Sequence, residues 1–279
     1  MRNRKRTGWH RYVNGVSIST LVTVLFIILP LYWLIATSFK DPNSIGTPSL
    51  SPAPLSTRNY HDAFVGYDFG IYFRNSLIVT IVSTALVLAL GTLAGYALGR
   101  LPMRGKFPTL VILLMISVFP EVAVIAPLYL LMRNIGWLNS YQALILPYTA
   151  FNLPFAIWIL RNYFLGIPKE MEETGRIDGA SALRTVWTIV LPQALPGLFT
   201  AGIFCFTACW TEFLMALTFN PANNFRTIPV GIAEFGTTNY VPYGTIFAAS
   251  VVAVVPIGVL VFIFRRFVIS GLTSGAVKG

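Results

Sequence analysis

The sequence predicts an all-α, polytopic membrane protein with six transmembrane helices. Hydrophobic residues make up 55% of the 279 and charged residues 11%. The mean hydropathy is +0.69. The apolar residues are also gathered into long uncharged runs, a balance far outside that of soluble globular domains.

The runs place the spans, since a helix needs about 20 mostly apolar residues to cross the hydrocarbon core. Charge is absent from 12–39, 75–99, 134–160, 185–211 and 235–264, and the run 107–132 holds a single acid, Glu121. Spans are expected at 16–38, 75–99, 107–132, 141–164, 193–219 and 243–267. The basic residues at 4–6 ahead of the first run could mimic a secretory leader. The run is too long for one and no convincing small-x-small cleavage site follows, so a retained first span is expected.

Lysine and arginine set the orientation. Arg2, Arg4, Lys5, Arg6 and Arg11 precede span one, and Arg100, Arg104 and Lys106 follow span two. Arg161, Lys169, Arg176 and Arg184 follow span four, and Arg265, Arg266 and Lys278 follow span six. Both termini and the loop after span four are therefore expected in the cytosol, with external loops near 39–74, 133–140 and 220–242. Pro42, Pro48, Pro52 and Pro54 argue against a long helix at the start of the first external loop. A single membrane domain over 16–269 is expected, with its loop at 166–192, a basic cytoplasmic segment at 1–15 and a cytoplasmic tail at 270–279.

These features exclude several classes. The net charge of +10 is accounted for by cations flanking the spans, not by one basic face, so no nucleic-acid partner is expected. Cys205 and Cys209 share a helix face but have no His, Asp or Glu on the same turn, so they read as small packing residues and no metal is expected. His10 and His61 fall on opposite sides of the membrane, and no nucleophile–base–acid set or phosphate loop is present. The chain is read as a transport subunit with no enzymatic activity and no cofactor of its own. An ion-coupled secondary transporter would need ion sites at broken, repeated helices, and a membrane-embedded enzyme would need clustered polar residues at one interface. Six spans with two peripheral acids fit the first poorly, leaving an ion-coupled secondary transporter as the lesser alternative, and the sequence shows no such cluster for the second.

The loop at 166–192 carries the most information. Pro168 suits a first helical turn, and Glu170, Glu172 and Glu173 place negative charge at its positive end, predicting a short helix over 168–176. Asp178-Gly179 breaks it. Leu183, Val186, Trp187 and Val190 then recur at i, i+3, i+4 and i+7, one apolar stripe on a second short helix that Leu191-Pro192 ends. Acids and bases nearly balance in this loop, which fits a protein-docking surface. On these residues alone, an amphipathic hairpin lying on the inner leaflet remains open.

The spacing Glu173, Gly179, Ile189, Leu191-Pro192 is similar to the coupling motif of type I ABC importer permeases, the EAA loop. It falls where that family has it, between spans four and five. Asn139–Tyr148 with Ala143-Leu144-Ile145-Leu146-Pro147, Trp210-Thr211-Glu212-Phe213 and the ending 271–279 resemble the MalG-type permeases of carbohydrate importers. Thr174 and Gly175 stand where the motif usually has two alanines, and Gly175 is expected to weaken the first short helix by about 1 kcal/mol. Thr211 stands where the family usually has Asn.

The resemblance implies the type I importer permease fold and a division of labour. Glu173, Asp178 and Gly179 would form the joint with a cytosolic ATPase, and Leu183, Val186 and Trp187 would fill its cleft, with Ile189, Leu191 and Pro192 completing the motif. The tail residues Gly271, Leu272, Thr273, Ser274 and Gly275 would reach between two ATPase subunits. ATP and Mg would sit on those subunits. A second permease, an extracellular solute-binding protein, a sugar and the bilayer complete the implied partners. A polyamine or phosphate ester is the alternative solute.

Glu121 and Glu212 would each cost about 2.5–3.5 kcal/mol on lipid, so they are expected to face a polar cavity or a partner subunit. They could line an outer gate or bind sugar hydroxyls. Trp210 could stack on a sugar or serve as an interfacial anchor. The external loop with Asn239, Tyr240 and Tyr243 resembles the family's segment that reaches into the binding protein.

Overall fold

The computed structural model describes residues 6–46, 49, 51, 54–177, 179–237 and 240–274; side chains at 6–17, 176, 182–183 and 266–274 lie outside that description. Among the described residues the regular structure is helical, with isolated bridges Lys40↔Leu55 and Thr237↔Tyr240 and no strand. Four helices are long and apolar enough to cross a membrane. Two further bent helix pairs raise the number among the described residues to as many as six, if each pair is one span. The chain divides into two compact units, 1–68 with 234–252, and 69–233 with 253–279.

In the first unit, α1 (Arg6–Ser38) leads into a short turn over Pro42–Ser44 that Asp41 caps by accepting the Asn43 N–H at 2.9 Å. A single helical turn, α2 (Arg58–His61), follows and runs into a wide turn over Asp62–Gly66. Buried Asn59 fixes it, donating to the carbonyls of Ser38 at 3.0 Å and Lys40 at 2.7 Å. Among the described residues at the start of this arm, the regular structure is the short Pro42–Ser44 turn, with proline at its first position.

The second unit is organised around α3 (Phe69–Arg100) and α6 (Gln142–Gly166). Helix α3 starts at Phe69, earlier than the uncharged run from 75 suggested, because buried Phe69 and Tyr72 continue its packing face past Arg74. Gly91, Gly95 and Gly99 recur every four residues along α3 and let α6 approach at backbone contact. A Cβ at Gly95 would lie 3.1 Å from the Arg161 N and from the Leu160 Cβ, and 3.3 Å from the Ile157 O. With no water to drive helices together inside a membrane, such small-residue stripes supply the dispersion contact that does.

The third expected span is not one straight helix. It divides into α4 (Lys106–Val118) and α5 (Val122–Asn134), which meet at 91°. Pro120 explains the break: it lacks an N–H and forces the residue before it out of the helical region. Phe119 is accordingly extended, at φ −67° and ψ 133°.

After α6 come α7 (Glu170–Ile177), α8 (Ala182–Thr185), a π-turn over Val186–Val190 and α9 (Leu191–Gln193). The chain then bends by 71° into α10 (Leu195–Thr211). The fifth expected span, 193–219, is also interrupted. Glu212 is extended, at φ −64° and ψ 134°, and α11 (Leu214–Phe219) resumes beyond it. A polar network closes one end of the unit. Asn75 donates to the carbonyls of Asn224 and Arg226, both at 2.9 Å, and accepts from the Tyr141 hydroxyl at 2.9 Å. Asn220 donates to the Ser140 carbonyl at 2.9 Å.

The last elements are α12 (Ile228–Ala233) and α13 (Tyr243–Ser274). Helix α13 continues through Gly271, Leu272, Thr273 and Ser274, where the composition suggested a tail outside the helix. Extending an existing helix costs far less than nucleating one, so glycine there does not end it.

Candidate functional site

The motif loop folds as a helix pair closed on itself. Helix α7 starts where the prolyl Pro168 and three first-turn glutamates favour a start, with the Glu172 and Glu173 amides donating to the Lys169 carbonyl at 3.0 and 3.1 Å. Gly179 turns the chain at φ +79°, a conformation that glycine adopts without strain. The Ala180 N–H returns to the Gly175 carbonyl at 2.9 Å, and the Ser181 hydroxyl accepts the Arg184 N–H at 3.3 Å to start the second helix.

The three acids of α7 have different surroundings. Glu170 and Glu173 are exposed. Glu172 is buried, and its Oε1 lies 2.9 Å from the Arg100 Nε, with the two side chains 10% and 5% exposed respectively. The Tyr96 hydroxyl donates to the other carboxylate oxygen at 3.1 Å. Arg100 also donates through an Nη to the Ile167 carbonyl, in the linker between α6 and α7. In the sequence Glu173 is marked by the motif spacing, and Glu172 only by its place in the first turn of the helix. A helix rotates about 100° per residue, so adjacent acids face different surroundings, and only the tertiary partner tells which one turns inward.

Gly175, expected to weaken α7, is the contact point of the helix pair. A Cβ there would fall 2.4 Å from the Ile189 Cδ1. The missing side chain admits the motif isoleucine, so the helix-propensity cost is offset by packing.

The apolar stripe of the second helix splits. Val186 and Val190 are 6% and 0% exposed and belong to the chain's own core, while Trp187 is 54% exposed. Residues 186 and 190 lie near one face of any such helix and 187 sits about 100° round from 186, so turning the two valines inward turns the tryptophan out. Val186 is thus not available to fill a partner's cleft, contrary to expectation. Ile177, 85% exposed and absent from the expected set, joins Trp187 on the free surface. Leu191 is half-buried and Pro192 exposed. Asp178, Asn239 and Gly275 lie outside the described residues, as does the Leu183 side chain.

Glu121 and Glu212 each occupy a helix break. Glu121 follows Pro120 in the α4–α5 bend and is exposed. Glu212 accepts the N–H groups of Met215 at 2.7 Å and Ala216 at 3.0 Å, and the Tyr148 hydroxyl donates to it. Its carboxylate therefore takes over amides at the start of α11, which is how the span resumes after the break. The proline signal at 120 was legible; the break at Glu212, which has no proline, was not.

Trp210 is 3% exposed, stacks on Phe206 with centroids 5.5 Å apart, meets Phe73 edge-on and donates its indole N–H to the Ala253 carbonyl at 3.0 Å. It presents no open face, so it serves neither as a stacking platform nor as an interfacial anchor in this conformation. Tyr240 and Tyr243 are 61% and 56% exposed. Cys205 and Cys209 are buried with sulfurs 4.0 Å apart, and no metal-ligand cluster occurs among the described residues.

The chain is 36% identical over 266 residues to the trehalose/maltose transport system permease protein MalG of Thermococcus litoralis, covering 94% of this chain and 95% of the relative. It is 36% identical over 274 residues to the trehalose transport system permease protein SugB of Mycobacterium tuberculosis, covering 98% and 100%. The sulfoquinovosyl glycerol transport system permease protein SmoH of Agrobacterium fabrum is 38% identical over 254 residues, covering 90% and 89%. Among solved structures, a bacterial ABC transporter involved in the import of the acidic polysaccharide alginate has a chain that matches with TM-score 0.81 at 20% identity, covering 95% of this chain and 99% of that one, which shows the shared fold. Residues 88–274 match the model of the binding-protein-dependent transport system inner membrane component, and the chain belongs to that family.

Proposed function

We propose that this chain is a MalG-like permease subunit of an ATP-driven, binding-protein-dependent sugar importer. The observation that carries the reading is the platform at 170–192: a closed helix pair at the family's coupling position, with Glu173, Ile177 and Trp187 free on its surface. Support for sugar comes from relatives named for trehalose, maltose and sulfoquinovosyl glycerol transport over nearly the whole chain.

In this reading the platform and both termini are cytosolic, and the chain lies in a bacterial-type plasma membrane. Glu173, Asp178 and Gly179 form the joint with one of two ATPase subunits, and the exposed Trp187 and Ile177 enter the cleft. ATP and Mg act on those subunits, whose closing and opening move the platform. The 271–275 segment runs toward the ATPases. A second permease completes the pathway, and an external binding protein docks on the loop that holds Asn239, Tyr240 and Tyr243. The breaks at Glu121 and Glu212 supply the hinges of an outer gate. Closure of the ATPases opens the cavity outward, and hydrolysis resets it inward.

The experiment is to tag the amino terminus, extract the chain gently from its native membrane and identify its companions by mass spectrometry. An ATPase, a second permease and a solute-binding protein are expected. A lone chain or homodimer without an ATPase overturns the reading. Glu173→Lys should lower ATPase recovery and uptake while leaving membrane insertion intact.

A further inference from the structure

We infer that Glu172 is a positioning residue that makes α3, α6 and α7 move as one body, a deepening that rests on the importer reading above. Three attachments meet at the predicted cytosolic end of α3. Arg100 is paired with Glu172 on α7, it also donates to the Ile167 carbonyl in the α6–α7 linker, and Tyr96, one turn back on α3, donates to the same carboxylate. The linker is only Ile167 to Lys169, between Gly166 at the end of α6 and Glu170 at the start of α7. Arg100 therefore grips the elbow from both sides.

The grip continues inward. Gly99, Gly95 and Gly91 keep α3 at backbone contact with α6 for two further turns, and Tyr96 meets Phe164 of α6 edge-on with centroids 5.7 Å apart. A torque applied to the exposed face of α7 is thus passed to two packed helices and not dissipated in the linker. The burial points the same way. A charged pair with side chains 5% and 10% exposed is weak evidence for stability, because desolvation offsets the attraction, so the role assigned to it here is positional. Guanidinium suits the role, since its fork reaches a carboxylate and a carbonyl together, which an ammonium does with less geometric constraint.

The test uses the complete complex with its binding protein in proteoliposomes, measuring sugar imported per ATP hydrolysed with radiolabelled maltose and trehalose as probes. The double variant Arg100→Met/Glu172→Leu removes both charges and keeps apolar volume, so no buried charge is left unpaired. Tyr96→Phe removes one hydrogen bond and keeps the ring. Sugar imported per ATP should fall at least tenfold in the double variant and about twofold to threefold in Tyr96→Phe, with hydrolysis losing its response to the binding protein in the same order. An unchanged ratio in the assembled double variant overturns the inference. If the double variant does not assemble, an unchanged ratio in Tyr96→Phe overturns it. A wild-type complex that imports neither probe and shows no binding-protein-stimulated hydrolysis overturns the importer reading itself, and is told apart by that control.

Discussion

Replacing Gly95 and Gly175 by alanine, one at a time, separates two kinds of close contact. At both sites alanine gains about 1 kcal/mol of helix propensity over glycine. At Gly95 the new Cβ meets the Arg161 N and the Leu160 Cβ at 3.1 Å and the Ile157 O at 3.3 Å. Two of these are backbone atoms of a packed helix, so relief requires α3 and α6 to separate. Overpacking of this kind costs about 1–3 kcal/mol, leaving a net loss of about 1 kcal/mol. At Gly175 the distance is shorter, 2.4 Å, but the atom met is the Ile189 Cδ1 at the end of a rotatable side chain. Turning it off its rotamer costs about 0.5–1.5 kcal/mol, which the propensity gain roughly cancels. Thermal unfolding of the purified protein in mild detergent, followed by tryptophan fluorescence, should place Gly95→Ala about 3 °C below wild type and Gly175→Ala within about 1 °C of it. The reasoning is refuted if Gly95→Ala melts at or above wild type, or if Gly175→Ala is the more damaging of the two.

Gly179→Val forces a β-branched residue to φ +79° at a cost of about 1–2 kcal/mol; ATPase co-purification should weaken while membrane insertion, read by protease accessibility, is unchanged. Trp210→Ala should destabilise by about 3–5 kcal/mol through the lost aromatic packing, seen as a lower detergent melting temperature, with uptake per assembled complex close to wild type because the ring faces the core. Pro120→Ala restores an amide at the α4–α5 bend, and sugar uptake should fall while hydrolysis continues, checked in proteoliposomes. Tyr240→Ala should leave assembly intact and raise the binding-protein concentration needed for half-maximal hydrolysis, by about tenfold for an interfacial tyrosine worth about 1.4 kcal/mol.

The four unbroken apolar helices and the short helix over 170–177 were legible because hydrophobic runs, Pro168 and the three first-turn glutamates are local signals. The Gly91, Gly95, Gly99 stripe and Pro120 were equally local, and they foretell the α3–α6 contact and the α4–α5 break once helix period and proline geometry are applied to them. Other features lay beyond any local pattern. Which of Glu172 and Glu173 is buried depends on Arg100, seventy or so residues earlier in the chain, about which composition is silent. Which edge of the apolar stripe at 183–190 turns inward is likewise set by the fold, which buries Val186 with Val190 and leaves Trp187 exposed. Glu212 breaks its helix through hydrogen bonds to Met215 and Ala216, a choice made by the fold and its Tyr148 partner.

The glycine stripe has a mechanical consequence. Among elastic elements in series, displacement collects in the most compliant one and passes undiminished through the stiffest. Two helices touching along their backbones, with few long side chains between them to rearrange, form a stiff element, since close-packed interiors compress little and transmit strain. The interrupted helices at Phe119–Glu121 and at Glu212 are compliant by comparison, having given up backbone hydrogen bonds at those points. A push delivered at one end of α3 and α6 is therefore not absorbed along their length, and the stroke is felt where the chain is already broken.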